Sequence, residues 1–314
     1  MQESDNTAIV VEGLTKRYGS QLALDHVSFR VGRGEIFGFL GPNGAGKTTT
    51  IHILTTLLKA DSGSATIFNL DVFSEPNRIR KMITVMFQAG CLTPFLNVYN
   101  HLHFYALLEG IPKAERGGRI AEVMETLDLS SKAKASVFQL SGGLARRLQL
   151  ARIFLSQAEL LFLDEPTLGI DIEGKIKIWD LLKRRCEEKN LTIFLATNDM
   201  AEAECLCDRI AFISQGKLLA LDTPEILKRE TKKVVLSVDL EKWDAHRSTL
   251  DLPPTVTVLS TDEGRIEIEF TRPETDLSPV VGQISQQGVI KDLDIRRPTI
   301  QDVFLHLLRK DRGE

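Results

Sequence analysis

Short runs of apolar residues, separated by polar stretches, dominate the first two thirds of the chain. Residues 36–40, 82–87, 160–163 and 191–196 are almost continuously apolar. Runs of this kind are typical of strands that are buried on both faces of a parallel sheet. The pattern therefore predicts an α/β fold for this part of the chain.

A second pattern, in which apolar and polar residues alternate, appears near the start of the chain. Residues 8–11 form a short apolar run, and residues 27–31 alternate in polarity. Alternation predicts antiparallel strands with one buried face. Further along, residues 210–214 and 218–221 flank Gln215-Gly216, which indicates a β-hairpin.

Helical periodicity appears in two other places. Residues 48–58 carry apolar side chains on one face and predict a helix. Between about residues 91 and 151 the pattern is helical again, which predicts a helical insertion between two core strands. Its apolar positions include Ile120, Val123, Met124 and Leu127.

The pattern changes after Thr231, and this change predicts a second domain. Alternating apolar residues occupy 234–238 and 266–270, turns are indicated at Pro253-Pro254 and at 262–264, and residues 300–308 form an amphipathic helix. We expect one large domain at 1–230, which contains the insertion at about 91–151. Residues 231–314 then form a small α+β accessory domain.

Composition limits the classes of function. The 314 residues are 43% hydrophobic and 26% charged, with a formal net charge of −4, so nothing in the charge favours nucleic acid as a partner. No apolar run reaches the ~20 residues that span a bilayer, and the polar N-terminus is not a secretory signal. Four cysteines without metal-ligand spacing predict reduced thiols. They are Cys91, Cys186, Cys205 and Cys207.

The most specific motif is the phosphate loop at residues 41–48, Gly-Pro-Asn-Gly-Ala-Gly-Lys-Thr, which fits G-x-x-x-x-G-K-[ST]. It lies between a predicted strand and a predicted helix, where free backbone N–H groups and the helix dipole favour a phosphate. Lys47 adds a positive charge for the outer phosphates, and the Thr48 hydroxyl suits Mg²⁺. The alternative is a glycine-rich turn without a ligand.

Two further elements point to nucleotide hydrolysis. Asp164 and Glu165 end a buried apolar run. Asp164 is then placed toward Mg²⁺, and Glu165 can polarise a water for attack on the γ-phosphate. Ser141-Gly142-Gly143 precedes a helical stretch, and small residues allow backbone N–H groups to approach a phosphate. Alone, either element is common in loops or solvated strand ends.

Together, GPNGAGKTT, LSGG and LLFLDEP stand in the order found in ATP-binding cassette (ABC) ATPases, and residues 8–228 resemble that family. The resemblance implies a P-loop NTPase cassette with a mixed sheet core, an antiparallel β subdomain and a helical subdomain. It also implies ATP and Mg²⁺ as cofactors. The implied metal ligands are Thr48, Gln88 and Asp164.

The resemblance also implies roles for single residues. Tyr18 matches the aromatic residue that stacks on adenine, and Gln88 matches the glutamine that touches Mg²⁺ and faces the membrane subunit. Asp171 closes a loop that crosses to a second copy, so each ATP would lie between Lys47 of one chain and Ser141 of the other. The implied nucleotide-binding residues are Tyr18, Gly41, Pro42, Asn43, Gly44, Ala45, Gly46, Lys47, Thr48, Thr49, Ser141, Gly142, Gly143 and Asp171.

Two positions depart from the pattern of the family. Leu144 replaces the usual Gln after the Ser-Gly-Gly motif, at a position read through its backbone. Asn198 replaces the usual His, and Asn can donate a hydrogen bond to a phosphate but cannot carry a proton or a charge. The implied catalytic residues are therefore Glu165, Gln88 and Asn198, with hydrolysis slowed, unchanged, or confined to one half of a heterodimer.

The final segment, residues 296–305, resembles the end of daunorubicin-resistance and sodium-extrusion cassettes. The leading hypothesis is a cytoplasmic ATPase subunit of an exporter. It would be peripheral on the inner face of the membrane and would act through a separate permease and a second cassette copy. Apolar candidates for the permease surface, or for core packing, are Pro94, Phe95, Leu96, Val98 and Tyr99. The alternatives are a soluble cassette ATPase outside transport and an ATP-gated clamp with little hydrolysis.

Overall fold

The computed structural model describes residues 6–88, 92–230, 233–241, 256–262, 264–271, 277–296 and 298–312. The chain divides into two compact units, Met1–Thr223 and Pro224–Glu314. The boundary expected from the sequence, after residue 230, differs from this division by one short helix.

The first unit contains two sheets and a group of helices. Its strands are β1 (Thr7–Tyr18), β2 (Gln21–Gly32), β3 (Ile36–Leu40), β4 (Ser62–Ile67), β5 (Leu70–Asp71), β6 (Ile83–Met86), β7 (Leu160–Asp164), β8 (Thr192–Thr197), β9 (Arg209–Ser214) and β10 (Lys217–Asp222). Its helices are α1 (Lys47–Leu54), α2 (Pro76–Ile79), α3 (Val98–Leu108), α4 (Lys113–Thr126), α5 (Gly142–Leu155), α6 (Ile172–Lys189) and α7 (Met200–Leu206), with 3₁₀ turns at Ser130–Lys132 and Val137–Gln139.

The central sheet has the strand order β10-β9-β3-β8-β7-β6. Five of its strands run parallel, and β10 pairs with β9 as the predicted antiparallel hairpin. Every residue of β3, β7 and β8 is buried, which explains their continuous apolar runs. The carboxyl ends of these strands lie at one edge, where parallel α/β sheets bind their ligands.

The second sheet, in the order β2-β1-β4-β5, is antiparallel throughout. Phe29 of β2 packs against the central sheet, with its ring centroid 5.4 Å from those of Phe37 and Phe39 and 5.9 Å from that of Phe194. Offset aromatic contacts at this distance add to the burial of the rings. One shared apolar core therefore joins the two sheets. The fold confirms the predicted α/β core with an antiparallel subdomain.

Helix α1 is shorter than the sequence predicts. The apolar spacing predicts a helix to Leu58, but α1 ends at Leu54. The Thr55 hydroxyl donates to the Ile51 carbonyl at 2.7 Å, and Thr56 adopts a left-handed φ of 64°. Threonine hydroxyls compete for helical carbonyls, and a left-handed residue ends the helix. Leu58 still packs on the core, so it satisfies the apolar pattern without being helical.

The helical insertion consists of α3, α4 and α5, which pack on one another. Val98, Leu102 and Ile120 lie in its interior and are fully buried. Phe95, in contrast, is 93% exposed and Tyr99 is 39% exposed. The apolar stretch at 94–99 is therefore divided between core packing and surface.

The second unit contains α8 (Pro224–Glu230), β11 (Lys233–Glu241), β12 (Val256–Asp262), β13 (Arg265–Thr271), α9 (Ser278–Gln287), β14 (Val289–Arg296) and α10 (Ile300–Arg312). Its antiparallel sheet has the order β12-β13-β11-β14. The predicted alternating strands at 234–238 and 266–270 are confirmed as β11 and β13, and the predicted final helix as α10. The turn expected at Pro253-Pro254 lies outside the described residues.

Three of the four cysteines, Cys186, Cys205 and Cys207, are free thiols, as predicted. Cys91 falls outside the part of the chain that the structure describes. Among the described helices, none combines the length and apolar character needed to cross a bilayer.

His101 in the insertion gives a pH dependence of stability. Its side chain is fully buried, neither ring nitrogen has a hydrogen-bond partner among the described residues, and burial lowers its pKa to about 4. An exposed histidine in the unfolded chain has a pKa of 6.5, so it becomes protonated below that pH. In the folded chain, His101 stays neutral until the pH approaches 4. Stability should thus fall as the pH falls through this window, by about 1 kcal/mol near pH 5.5.

We expect His101→Phe to remove this part of the pH dependence and to keep an aromatic ring beside Tyr105, which lies 5.0 Å from the His101 ring. The measurement is the thermal unfolding midpoint of parent and variant near pH 7.5 and near pH 5.5. His103→Phe on the same helix is the matched control, because His103 is only half-buried. An equal fall in all three proteins would contradict the assignment to His101.

Candidate nucleotide site

The phosphate loop connects β3 to α1 and is packed tightly from behind. A Cβ atom on Gly41 would lie 2.2 Å from the Ile213 carbonyl oxygen. Gly46 adopts a φ of 112°, and a Cβ there would lie 2.7 Å from the Ala23 carbonyl oxygen. Only glycine fits both constraints at Gly46. The loop backbone is therefore fixed in a curve against β9 and β2.

Lys47, the first residue of α1, is almost completely buried. Its Nζ donates to the carbonyl oxygens of Gly41 at 2.6 Å and Pro42 at 3.3 Å, and lies 3.7 Å from Glu165 Oε1. Burial lowers the pKa of Lys47, and the charges of Glu165 and Asp164 oppose this shift. The ammonium group thus closes the loop on itself, at the place where phosphate oxygens would compete for it.

Thr48 and Asp164 form the expected metal-binding pair. Thr48 Oγ1 donates to Asp164 Oδ2 at 3.0 Å, which joins the start of α1 to the end of β7. Burial raises the pKa of the Asp164 carboxyl, while the Thr48 hydroxyl and the Lys47 charge lower it. A hydroxyl beside a carboxylate is an all-oxygen donor set of the kind that Mg²⁺ takes together with phosphates and waters. These residues fit Mg²⁺.

Glu165 follows β7 directly, in a left-handed conformation with a φ of 52°. Such a φ is uncommon outside glycine and is found at functional sites. Its Oε2 accepts from Thr197 Oγ1 at 3.3 Å, and its carboxyl also accepts from the Asn198 backbone N–H. Burial raises the pKa of Glu165, while the Asn198 N–H and the Lys47 charge lower it. A buried and oriented carboxylate is suited to accept a proton from water.

These groups line one open cleft of about 380 Å³. Twelve predicted site residues line it together with Gln21 and Ala23, which were not predicted. The twelve are Tyr18, Pro42, Asn43, Gly44, Ala45, Gly46, Lys47, Thr48, Thr49, Gln88, Asp164 and Glu165. Tyr18 is 48% exposed, which leaves its ring accessible at the edge. A larger groove of about 700 Å³ beside Arg119 and Arg185 contains no phosphate-loop residue, so size alone does not mark this site.

Ser141, Gly142, Gly143 and Asp171 are not among the residues that line this cleft. Ser141 caps α5, where its Oγ accepts from the Leu144 N–H at 3.4 Å, and it is exposed together with Gly142. Asp171 precedes α6 and pairs with Arg147 at 3.4 Å. The cleft of one chain therefore contains the phosphate loop and the two carboxylates but not the Ser-Gly-Gly segment of the same chain.

Asn198 follows β8 and is exposed, and its recorded contact with Glu165 is made by its backbone N–H rather than its side chain. Asn198 is not among the residues that line the cleft. The role expected for Asn198 as a phosphate donor stays a prediction.

Two buried charged residues near the site were not predicted from the sequence. Arg146 on α5 is only 5% exposed and donates to the backbone at the end of β7. Glu202 on α7 is fully buried and accepts from Thr167 Oγ1 at 2.7 Å and Trp179 Nε1 at 3.2 Å. Helical spacing could have indicated Arg146, because it shares a buried face with Leu150 and Ile153.

The geometry agrees with comparisons to known proteins. Residues 24–168 match the family model described as ABC transporter. The chain is 37% identical over 309 residues to daunorubicin resistance ATP-binding protein DrrA3 of Streptomyces coeruleorubidus, covering 98% of each chain. It is 34% identical over 313 residues to Nod factor export ATP-binding protein I of Ralstonia nicotianae, covering 96% of this chain and 94% of the relative.

Solved structures agree on the fold. The dimeric structure of MJ0796, a bacterial ABC transporter cassette, is similar with a TM-score of 0.64 at 27% identity, covering 68% of this chain and 98% of that chain. The same cassette in a post-hydrolysis state bound to ADP and Pi gives a TM-score of 0.63.

The chain belongs to the ABC transporter family, and its relatives are ATP-binding subunits of that family. It is an ABC ATPase of the drug-resistance type, and it binds and hydrolyses ATP with Mg²⁺. The predicted family and cofactors are confirmed.

We expect Lys47→Ala to lower the affinity for Mg-ATP by about 10- to 100-fold, because a charge-assisted hydrogen bond to phosphate is lost. Binding of a fluorescent ATP analogue to the purified chain measures this change. Lys59→Ala is the control, because Lys59 is an exposed lysine just beyond α1. Undiminished affinity in Lys47→Ala would remove the basis for placing phosphates in this loop.

Proposed function

We propose that this chain is the ATP-hydrolysing motor subunit of an exporter, and that two cassettes close around ATP to drive a separate membrane permease. The observation that carries the proposal is the division of the site. Lys47, Asp164 and Glu165 line the cleft, whereas Ser141 and Gly143 face elsewhere on the same chain. A second copy, packed head to tail, would bring its Ser141 to the open side of the cleft.

The relatives support both parts of this proposal. MJ0796 was solved as a dimer, which supports a second cassette. The named relatives serve daunorubicin resistance and Nod factor export, which supports export as the direction of transport. The pairing would make nucleotide part of an interface, so that ATP favours the closed state and hydrolysis releases it.

In the closed site, this chain's own residues would divide the chemistry. Lys47 and the loop N–H groups would hold the β- and γ-phosphates, while Tyr18 would stack on the adenine. Thr48, Asp164 and Gln88 would hold Mg²⁺, which supplies positive charge against the phosphates. Glu165 would orient and deprotonate the attacking water.

Asn198 and Asp171 would complete the site from its two sides. Asn198 would donate a hydrogen bond to a γ-phosphate oxygen, and Asp171 would lie on the segment that reaches the second copy. Both roles are carried over from the resemblance to the ABC ATPases, and Asn198 follows β8 while Asp171 precedes α6.

The surface proposed for the permease lies on the helical insertion. Phe95 and Phe138 are 93% and 84% exposed, and Tyr99 adds a partly exposed ring. Exposed aromatic groups of this size are typical of protein interfaces. Val98, which shares the stretch, is buried and belongs to the insertion core instead. The chain would then act at the cytoplasmic face of the membrane through its permease.

Glu165→Gln tests the motor function directly. The variant keeps the shape of the side chain but removes the base, so we expect turnover to fall by about 10²- to 10⁴-fold while ATP binding persists. Steady-state phosphate release measures turnover, and gel filtration with light scattering at saturating ATP measures the dimer.

Glu159→Gln is the matched control, because Glu159 lies just before the opposite end of β7 and is exposed. Loss of turnover in Glu165→Gln alone, with an ATP-dependent dimer, is the expected result. A monomer at saturating ATP would contradict the shared site.

The Asn at position 198 motivates a test of the alternative function, an ATP-gated clamp with little hydrolysis. If this residue limits the chemistry, Asn198→His should raise turnover by about 10-fold, since a protonated imidazole makes a charge-assisted bond to phosphate. Phosphate release measures the rate, and Asn198→His combined with Glu165→Gln should be inactive. An unchanged rate would place the limiting step elsewhere.

A further inference from the structure

One arginine joins three parts of the cassette that lie far apart in the sequence. Arg146 lies on the buried face of α5 and is 5% exposed. The hydrogen-bond acceptors around its guanidinium are mainly main-chain carbonyl oxygens. These carbonyls belong to Phe87, Gln88, Asp164, Glu165 and Pro166.

The contacts use every part of the guanidinium. Nη1 donates to the carbonyls of Phe87 at 3.2 Å and Gln88 at 3.1 Å, the two residues that directly follow β6. Nη2 donates to the carbonyls of Asp164 at 2.7 Å and of Glu165, directly at the end of β7. Nε donates to the Pro166 carbonyl at 3.2 Å. The group therefore bridges the segments that follow two neighbouring parallel strands.

A sixth contact fixes the guanidinium on its own helix. Gln149 Oε1, one turn further along α5, lies 2.8 Å from Nη1 and shares its two N–H groups with the Phe87 and Gln88 carbonyls. The planar fork is thus held in one orientation. Lysine could not replace it, because an ammonium group has three donors on a flexible stem and cannot span both strand ends.

The same helix begins at Gly142, directly after Ser141. The Ser-Gly-Gly segment, Gln88 and the pair Asp164-Glu165 are thus tied together through one side chain. A shift of α5 or of the Gln88 segment must move these carbonyls or break their hydrogen bonds, and breaking them would leave buried polar groups unpaired.

We propose that Arg146 is a positioning residue for ATP hydrolysis, which holds the Gln88 segment and the Glu165 backbone in register with the helix that carries Ser141. The proposal rests on the proposed function, because it assumes that Glu165 and Gln88 act on ATP. It adds a residue that touches no phosphate and acts on turnover through the backbone of its neighbours.

Arg146→Lys is the first test, because it keeps the charge and removes the fork. We expect kcat to fall by about 10- to 100-fold, since small displacements of catalytic groups have effects of this size. The affinity for a fluorescent ATP analogue and the KM should change by less than about threefold. Phosphate release and analogue binding are measured on the same preparations.

Arg152→Lys is the matched control. Arg152 is half-buried on the same helix and donates to the Tyr105 hydroxyl at 2.9 Å and the Val85 carbonyl at 3.1 Å, but its recorded hydrogen bonds do not include the carbonyls at the end of β7. Its kcat should stay within about twofold of the parent. An equal loss in both variants would overturn the proposal, because it would show a general cost of altering α5.

A double-mutant cycle with Gln88→Ala separates positioning from folding. If Arg146 acts partly by placing Gln88, then Arg146→Lys should lower kcat less in the Gln88→Ala background than in the parent. Losses that multiply independently would overturn the proposal. So would an equal loss of kcat and of nucleotide affinity.

Thermal unfolding midpoints accompany each measurement, and Arg146→Gln serves as a second variant with a shorter, neutral donor group. Loss of the folded state in both Arg146 variants would overturn the proposal, because it would make Arg146 a residue of the fold alone. A parent chain that binds ATP but releases no phosphate, alone and with a permease, would instead overturn the proposed function. The two failures are therefore distinguishable.

Discussion

The cassette depends on holding three charged groups nearly out of water at one edge of a parallel sheet. Lys47, Asp164 and Glu165 are all buried, and a buried ion is costly unless its hydrogen-bond needs are met. Neighbouring groups supply these hydrogen bonds. Asp164 accepts from the Thr48 hydroxyl, and Lys47 donates to the loop carbonyls. Glu165 accepts from the Thr197 hydroxyl and from the Asn198 backbone N–H. A cluster of buried phenylalanine rings packs against the same strands. The site is thus a consequence of how the sheet is packed.

Much of this arrangement is readable from the sequence, for physical reasons. Strands buried on both faces need nearly continuous apolar residues, and this is why β3, β7 and β8 were predictable. The phosphate loop was predictable because glycine is required where the backbone turns left-handed or approaches another chain segment closely, as at Gly46. The end of α1 was not predictable. Apolar spacing does not show where a threonine hydroxyl and the left-handed Thr56 end a helix.

The site shows a similar limit. Lys47, Thr48, Asp164 and Glu165 stand in motifs whose spacing reflects their function, so their grouping followed from order along the chain. Arg146 and Glu202 stand in no such motif, and most of their hydrogen-bond partners lie 18 or more residues away in the sequence. Spacing within one helix shows that a residue faces inward, but not which carbonyl or hydroxyl it meets there. Long-range polar contacts are the part of the site that required the structure.

The partners of Arg146 have an evolutionary consequence. Five of its six acceptors are backbone carbonyls, which every residue type supplies. Neighbouring side chains can therefore change during divergence without disturbing the bridge, and no compensating exchange at a second position is required. Such a link would leave no trace of paired variation among homologous sequences, even though it joins segments far apart in the chain. Methods that detect contacts by covariation would pass over it.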